Sequence, residues 1–308
     1  MKNRRAFLSH SAKLGALVLF GGFVGTSFGA DNKSTKSTKD PQMQFVTLNN
    51  GIKMPILGLG TSRLTGVDGQ VAILQAIKVG YRLIDTAQMY GNEEQVGNAV
   101  AESGVNRNEF FITTKLSSDM NYDETMKSFE VSLKKLQMDY VDLLLIHRNY
   151  GNSKEMYRAM EQLYKDGRIK SLGLSNFNAK AFADFVKTCK VIPAVNQCQT
   201  HIFHQQKPLR KAMEQYKTKL ESWSPFVAGK NDFFNNATLM QIAQKYNKSV
   251  AQVALRFLIQ QGIIVIPKSS KLERLQENFA VFDFKLSASD IKTLSVMDKN
   301  ESQFSWDS

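Results

Sequence analysis

Cysteine is scarce in this chain of 308 residues: there are two, Cys189 and Cys198. Two thiols supply neither a zinc-ligand spacing nor a disulfide framework, and leave room for one bridge at most. Histidine is also rare, with four. His201 and His204 stand at i,i+3, a spacing that imitates a metal motif, but no third ligand accompanies them in the sequence, so no metal is expected. No Gly-x-Gly-x-x-Gly follows the first buried strand, which removes the usual mark of an open dinucleotide-binding sheet. No close pair of strand-end carboxylates stands out beyond Asp85 and Glu93, so a hydrolase working with two acids finds little support.

What is present is ordinary for a globular protein: 43% hydrophobic and 22% charged residues. The formal charge is +12, and four of the cations (Lys2, Arg4, Arg5, Lys13) lie in the first 30 residues, which hold no acid. The other lysines and arginines are scattered instead of gathered into a stripe interleaved with aromatics. They read as solvated helix faces and not as a nucleic-acid surface.

Residues 1–30 read as an address. A basic start is followed by an apolar run at 14–28, shorter than the about 20 residues that span a bilayer and rich in glycine. The stretch Asn3-Arg4-Arg5-Ala6-Phe7-Leu8 resembles the twin-arginine export signal, with Asn3 and Ser9 in place of its usual flanking residues. Small residues at Ser27, Gly29 and Ala30 suit cleavage near residue 30. Residues 31–42 are rich in Ser, Thr and Lys, without an apolar face, and read as a disordered spacer. A periplasmic or exported protein, handed to the twin-arginine machinery, is therefore expected. An uncleaved anchor at 14–28 and a cytoplasmic protein are the alternatives.

Residues 43–308 carry a repeating pattern. Two short apolar runs, 44–48 and 52–56, flank Asn49-Asn50-Gly51, a hairpin signal. Strands follow at 57–61, 81–86, 110–116, 141–147, 169–175, 194–199, 220–224 and 263–267. Helical periods lie between them, for example at 71–79, 125–136, 154–165 and 239–260, with a last helix at 287–297. The run Val141-Asp142-Leu143-Leu144-Leu145-Ile146 is what a parallel strand buried on both faces requires. Eight such units predict an α/β protein of the (β/α)8 TIM-barrel class with an N-terminal β-hairpin closing its bottom; a doubly wound open sheet is the runner-up.

The active site of such a barrel lies at the C-terminal ends of its strands. Asp85 ends one strand with Tyr90 just beyond it, Lys115 ends the next and His147 the one after. A charge beside a buried strand is costly unless paired. Taken singly, His147 suits a structural role and Asp85 and Lys115 a salt bridge at the barrel mouth. Together the four make a proton-donating device. Lys115 would lower the Tyr90 pKa from about 10, Asp85 would keep the lysine charged, and His147 would orient a carbonyl.

The stretch Asp85-Thr86-Ala87-Gln88-Met89-Tyr90-Gly91-Asn92-Glu93 resembles the D-T-A-x-x-Y-x-N-E signature of the aldo-keto reductases. Further matches follow in order: Gly58-Leu59-Gly60-Thr61, Thr114-Lys115, Leu145-Ile146-His147, Gly173-Leu174-Ser175-Asn176-Phe177, Asn196-Gln197, Ser224-Pro225 and Ile266-Pro267-Lys268-Ser269. They cover about residues 44–307, and the small bacterial NADPH-dependent members, of the 2,5-diketo-gluconate reductase kind, are most similar. The resemblance implies reduction of an aldehyde or ketone, with Tyr90, Asp85, Lys115 and His147 as the catalytic set and a small carbonyl compound as substrate. It implies NADPH as cofactor. Ser175, Asn176 and Gln197 would contact the nicotinamide carboxamide, Trp223 would stack on the ring, and Thr61 and Ser224 would belong to the same cofactor-binding set. Lys268, Ser269 and Arg274 would hold the 2′-phosphate, and Glu277 and Asn278 the adenine side. Relatives of this size are commonly monomers. Some bind the coenzyme as sensors or accessory subunits, which stands as the alternative function.

The chain departs from the family at several points. Arg148-Asn149 replaces a Trp-Pro after His147, and Ser62 replaces an aromatic, which makes the substrate side more polar. Gln199 and Ile202 fall where the family has Glu and Pro, and Phe226-Val227 follows Ser224-Pro225. Trp306 resembles the tail that lines the family's pocket.

Overall fold

The computed structural model describes residues 43–302 and 304. The export signal, the spacer at 31–42 and Trp306 lie outside the described residues. Residue 45 begins a hairpin of β1 (Phe45–Thr47) and β2 (Lys53–Pro55), antiparallel with Val46 opposite Met54. Its turn holds Gly51 at φ +87, a region that favours glycine. Asn49 Nδ2 donates to the Pro193 carbonyl at 3.0 Å, and Asn50 Nδ2 to that of Lys170 at 3.0 Å. Both carbonyls precede barrel strands, so the hairpin is tied to the end where the strands begin.

Eight parallel strands pair in sequence order: β3 (Gly58–Gly60), β4 (Leu83–Asp85), β5 (Phe111–Leu116), β6 (Leu143–Ile146), β7 (Leu172–Ser175), β8 (Val195–Gln199), β9 (Lys219–Trp223) and β10 (Ile264–Val265). Leu57 bridges Val265, and backbone bonds Val265 N to Ile56 O (2.9 Å) and Gly60 N to Pro267 O (3.2 Å) join the last strand to the first. That closure decides for the barrel over the open sheet. All four residues of β6 are inaccessible to solvent, as its unbroken apolar run requires.

The helices are α1 (Gly66–Val79), α2 (Glu93–Glu102), α3 (Tyr122–Leu136), α4 (Ser153–Lys165), α5 (Ala179–Phe185), α6 (Lys207–Glu214), α7 (Ala237–Tyr246), α8 (Val250–Ile259), α9 (Leu272–Phe279) and α10 (Ala288–Ser295). In α3 a capping box of Asn121 and Glu124 fixes the start, and Thr125, Phe129, Ser132, Leu133 and Leu136 form the buried face. The helical period at 239–260 resolves into two helices instead of one. Asn247 takes a left-handed conformation (φ 52) after α7, and Ser249 opens α8 with its own capping box to Gln252. The polar Asn247-Lys248-Ser249 keeps the apolar period alive while breaking the backbone.

Cys189 and Cys198 form no disulfide with each other. Among the described residues no helix is long and apolar enough to cross a membrane. His201 and His204 face each other across a two-way backbone bridge at 3.0 Å, and their rings contact the Gln199 and Gln206 amides.

Candidate active site

The adjacent strands β4, β5 and β6 bring Asp85, Lys115 and His147 to one rim. Asp85 is the last residue of β4, Lys115 the penultimate residue of β5, and His147 follows β6 with its N–H on the Leu116 carbonyl (3.0 Å). Tyr90 ends a 3-10 turn, Gln88–Tyr90, and Gly91 at φ +64 allows the chain to reverse into α2.

The polar residues around this turn are its scaffold. Thr86 Oγ1 donates to Asn92 Oδ1 (2.6 Å), while Asn92 Nδ2 donates to the Thr61 and Leu64 carbonyls (2.8 Å each). Thr61 Oγ1 donates to the Asp85 carbonyl (2.9 Å), and Thr114 Oγ1 to Glu93 Oε1 (2.7 Å). These buried bonds lash the segments after β3 and β4 to each other and to β5 itself, which explains why a Thr, an Asn and a Glu accompany Asp85 and Tyr90.

Lys115 is fully buried. Its Nζ donates to Asp85 Oδ1 at 2.6 Å and to the Thr86 carbonyl at 2.8 Å, and lies 3.5 Å from Tyr90 Oη. Burial works against the lysine charge, but the carboxylate of Asp85 and the Tyr90 oxygen outweigh it and hold the ammonium above its ordinary range. Burial also pushes the Asp85 carboxyl upward against the pull of Lys115. Both of its oxygens nonetheless accept hydrogen bonds, from Lys115 and from Gln197 Nε2 (2.7 Å), the arrangement of an ionised carboxylate.

The acidity of Tyr90 differs from the sequence expectation. Lys115 does pull the phenol down, but burial raises it more strongly, and Asp85 and Glu221 add to the rise. Tyr90 therefore keeps its proton across the neutral range. The His147 ring meets Tyr90 edge-on, with centroids 5.8 Å apart, and its Nδ1 contacts Ser117 Oγ at 3.0 Å. Burial, then the charges of Lys115 and Arg148, lower its pKa to about 3, so His147 is neutral.

The remaining candidates fall into two groups. Asn176, at φ 58, donates Nδ2 to the His147 carbonyl (2.9 Å) and to Ser175 Oγ (3.1 Å), and its Oδ1 accepts from Trp223 Nε1 (2.8 Å). Ser175, Asn176, Trp223 and Ser224 (φ 53) thus stand at the ends of β7 and β9 beside the tetrad. Lys268, Ser269, Arg274, Glu277 and Asn278 lie after β10 and on α9; Lys268 and Arg274 are exposed, Ser269 and Asn278 buried. Partial desolvation of the ammonium, although the side chain is exposed overall, and the neighbouring charge of Arg63 both hold Lys268 below its ordinary range, so two cations crowd one place, as suits an anion. Ser269 Oγ accepts from Lys271 N (3.1 Å) at the start of α9.

The sequence reading passed over Ser117 and Glu221. Glu221 brings a second acid near Asp85 from the middle of a strand, not from a strand end: Gln197 Nε2 stands between Asp85 Oδ2 (2.7 Å) and Glu221 Oε2 (2.9 Å). An acid inside an otherwise buried strand, Leu220-Glu221-Ser222, was the available signal. Glu93, the other acid of the sequence reading, is occupied with Thr114.

Residues 56–299 match the family model described as Aldo/keto reductase family. The chain is 44% identical over 259 residues to the glyoxal reductase of Bacillus subtilis (strain 168), covering 83% of this chain and 93% of that protein. It is 38% identical over 259 residues to the methylglyoxal reductase DkgA of Escherichia coli (strain K12), covering 83% and 94%. Among solved structures it resembles a Bombyx mori aldo-keto reductase in complex with NADP, with a TM-score of 0.80, 35% identity, and coverage of 85% of this chain and 94% of that one.

Proposed function

We propose, because this chain belongs to the aldo/keto reductase family, that it reduces a small aldehyde or ketone to an alcohol with NADPH as reductant. The observation that carries this reading is the buried Asp85–Lys115 pair with Tyr90 Oη 3.5 Å from the ammonium. When bound, the coenzyme supplies the hydride that the carbonyl carbon accepts. Tyr90 holds a proton at Oη and gives it to the carbonyl oxygen. Lys115, kept charged by Asp85, stabilises the phenolate that remains. His147, neutral and fixed against Ser117, is unfit as a proton source at neutral pH and serves to orient the carbonyl.

The donor set fits the coenzyme. The cations Lys268 and Arg274, with Ser269 between α9 and the strand end, suit a phosphate dianion, which favours NADPH over NADH. Asn176 fixes the indole of Trp223 through Nε1, which presents a flat face for the nicotinamide beside Ser175 and Ser224. Glu277 and Asn278 lie on the same helix for the adenine side. The similarity to a glyoxal reductase and a methylglyoxal reductase, together with the polar Arg148-Asn149 beside His147, points to small dicarbonyl compounds as substrates.

The test is NADPH oxidation by the purified protein with methylglyoxal, glyoxal and an aromatic aldehyde, with Tyr90→Phe in parallel. A positioned proton donor is worth about 10²–10⁴ in rate. Tyr90→Phe is expected to lose activity on that scale while binding NADPH as the parent does. Coenzyme binding without turnover in the parent protein would favour a sensor instead.

A further inference from the structure

Glu221 sits in the middle of β9 and has no exposed surface. Its neighbours across the sheet are Gln197 on β8 and Ile264 on β10, both uncharged. The charged and titratable groups that bear on it are Asp85 of β4 and Lys115 of β5, with Tyr90 beyond them. Its Oε2 accepts from Gln197 Nε2, and its Oε1 is buried with no hydrogen-bond partner among the described residues. A buried carboxylate with one oxygen unserved is costly, whereas a protonated carboxyl is far less so. Burial and then the charge of Asp85 push Glu221 up to about 8.

We propose that Glu221 is a positioning residue of the reduction: it fixes the Gln197 amide between two acids and, while it keeps its proton, leaves Asp85 as the one negative charge beside Lys115 and Tyr90. Both Nε2 hydrogens of Gln197 are then committed, one to each acid, so the amide cannot flip without losing two buried bonds. Loss of the Glu221 proton to solvent puts a second anion behind Asp85. That raises the Tyr90 phenol further and weakens it as a donor. The site thus contains its own alkaline limit, set by a residue that never touches the reacting carbonyl. This inference rests on the reductase reading above.

The test compares the parent with Glu221→Gln and Glu221→Leu. The glutamine keeps an acceptor for Gln197 but cannot ionise; the leucine removes the acceptor. Glu221→Gln is expected to hold parent-like kcat at pH 7 and to exceed the parent roughly three- to tenfold at pH 9, because its alkaline limb is gone. Glu221→Leu is expected to lose kcat at both pH values. Superimposed pH profiles of parent and Glu221→Gln overturn the proposal. A second readout needs neither substrate nor coenzyme. Because the folded carboxyl titrates higher than the unfolded one, its stability contribution is fully present below the unfolded value of about 4.3 and is lost as pH rises through about 8. The Tm of Glu221→Gln should therefore gain on that of the parent between those limits and run parallel above them. A constant Tm difference overturns the proposal even if no substrate is turned over, whereas absent turnover with the expected Tm pattern counts against the reductase reading alone. Should Glu221→Gln not fold, the parent's carboxylic-acid C=O infrared band decides: its persistence to about pH 8 supports the proposal, and its absence at pH 6 overturns it.

Discussion

Lys115 Nζ and Asp85 Oδ1 lie 2.6 Å apart with essentially no exposure of either side chain, and the same ammonium reaches Tyr90 Oη at 3.5 Å. Two opposite charges removed from water are tolerated because every donor and acceptor finds a partner: Asp85, Thr86 and Tyr90 for the ammonium, Lys115 and Gln197 for the carboxylate. The pair is thus at once a structural commitment of the barrel and the electrostatic setting of the phenol.

Removing one partner should expose that commitment. Lys115→Met leaves Asp85 buried and uncompensated, which typically costs about 3–5 kcal/mol. Without Lys115 the carboxyl, already raised by burial, rises further, so the variant binds a proton that the unfolded chain releases. Its stability deficit relative to the parent should be smaller at pH 5 than at pH 8. Urea denaturation midpoints at the two pH values check this, and a deficit independent of pH would count against a buried charge pair.

Histidine sets the acid side. His147 and His201 are both lowered to about 3 by burial first, with Lys115 and Arg148 adding for His147 and His204 adding for His201. A depressed histidine leaves the unfolded chain binding more protons, so stability is lost as pH falls from about 6.5 towards 3. Each could contribute up to about 5 kcal/mol over that window at about 1.36 kcal/mol per pH unit. His201→Gln is expected to flatten the fall of Tm between pH 6.5 and 4, while Tm at pH 8 changes less. If the two acid limbs stay parallel, His201 is not part of the acid lability.

Much of this architecture was legible in the residues. Apolar runs such as Leu143–Ile146 suit a doubly buried strand, and seven of the eight barrel strands lie within the stretches read for them, while β9 (Lys219–Trp223) begins and ends one residue before its stretch of 220–224. Asp85, Lys115 and His147 could be found because charged or basic groups at strand ends are rare, and adjacency in sequence order became adjacency in space. Two things were hidden. The break between α7 and α8 depends on a left-handed Asn247 that preserves the helical period. Glu221 depends on facing: only closure of the ring puts the middle of β9 opposite Asp85, with Gln197 between them. The acidity of Tyr90 was misjudged for a related reason. The pull of Lys115 follows from the residue pair, whereas the opposing effect of burial needs the walls around it.

Asn92 tests the scaffold without touching the tetrad. It donates to two buried carbonyls and accepts from Thr86 Oγ1. Asn92→Ala strands the Leu64 carbonyl and the Thr86 hydroxyl, each worth about 1–3 kcal/mol when left unsatisfied, and leaves the Thr61 carbonyl with the Leu64 N–H alone. A loss of several kcal/mol in chemical denaturation is expected, with kcat falling more than coenzyme affinity because the Tyr90 turn loosens. Stability within about 1 kcal/mol of the parent would mean that these bonds do not hold the turn.

Arg148 tests the substrate side. It is exposed, directly follows His147, and its charge contributes to holding that histidine neutral. Its charge also acts on the nearby Tyr150 phenol, which sets the guanidinium near the rim where the family places an apolar residue. A cation there should favour carbonyl compounds that carry a carboxylate over neutral ones of similar size. For an exposed charge the effect is modest and screened, so Arg148→Ala is expected to lower kcat/KM for glyoxylate about two- to fivefold more than for methylglyoxal. The difference should shrink in 1 M salt, where the Debye length is about 3 Å. Equal losses for both compounds at low salt would show that Arg148 shapes the rim without reading charge.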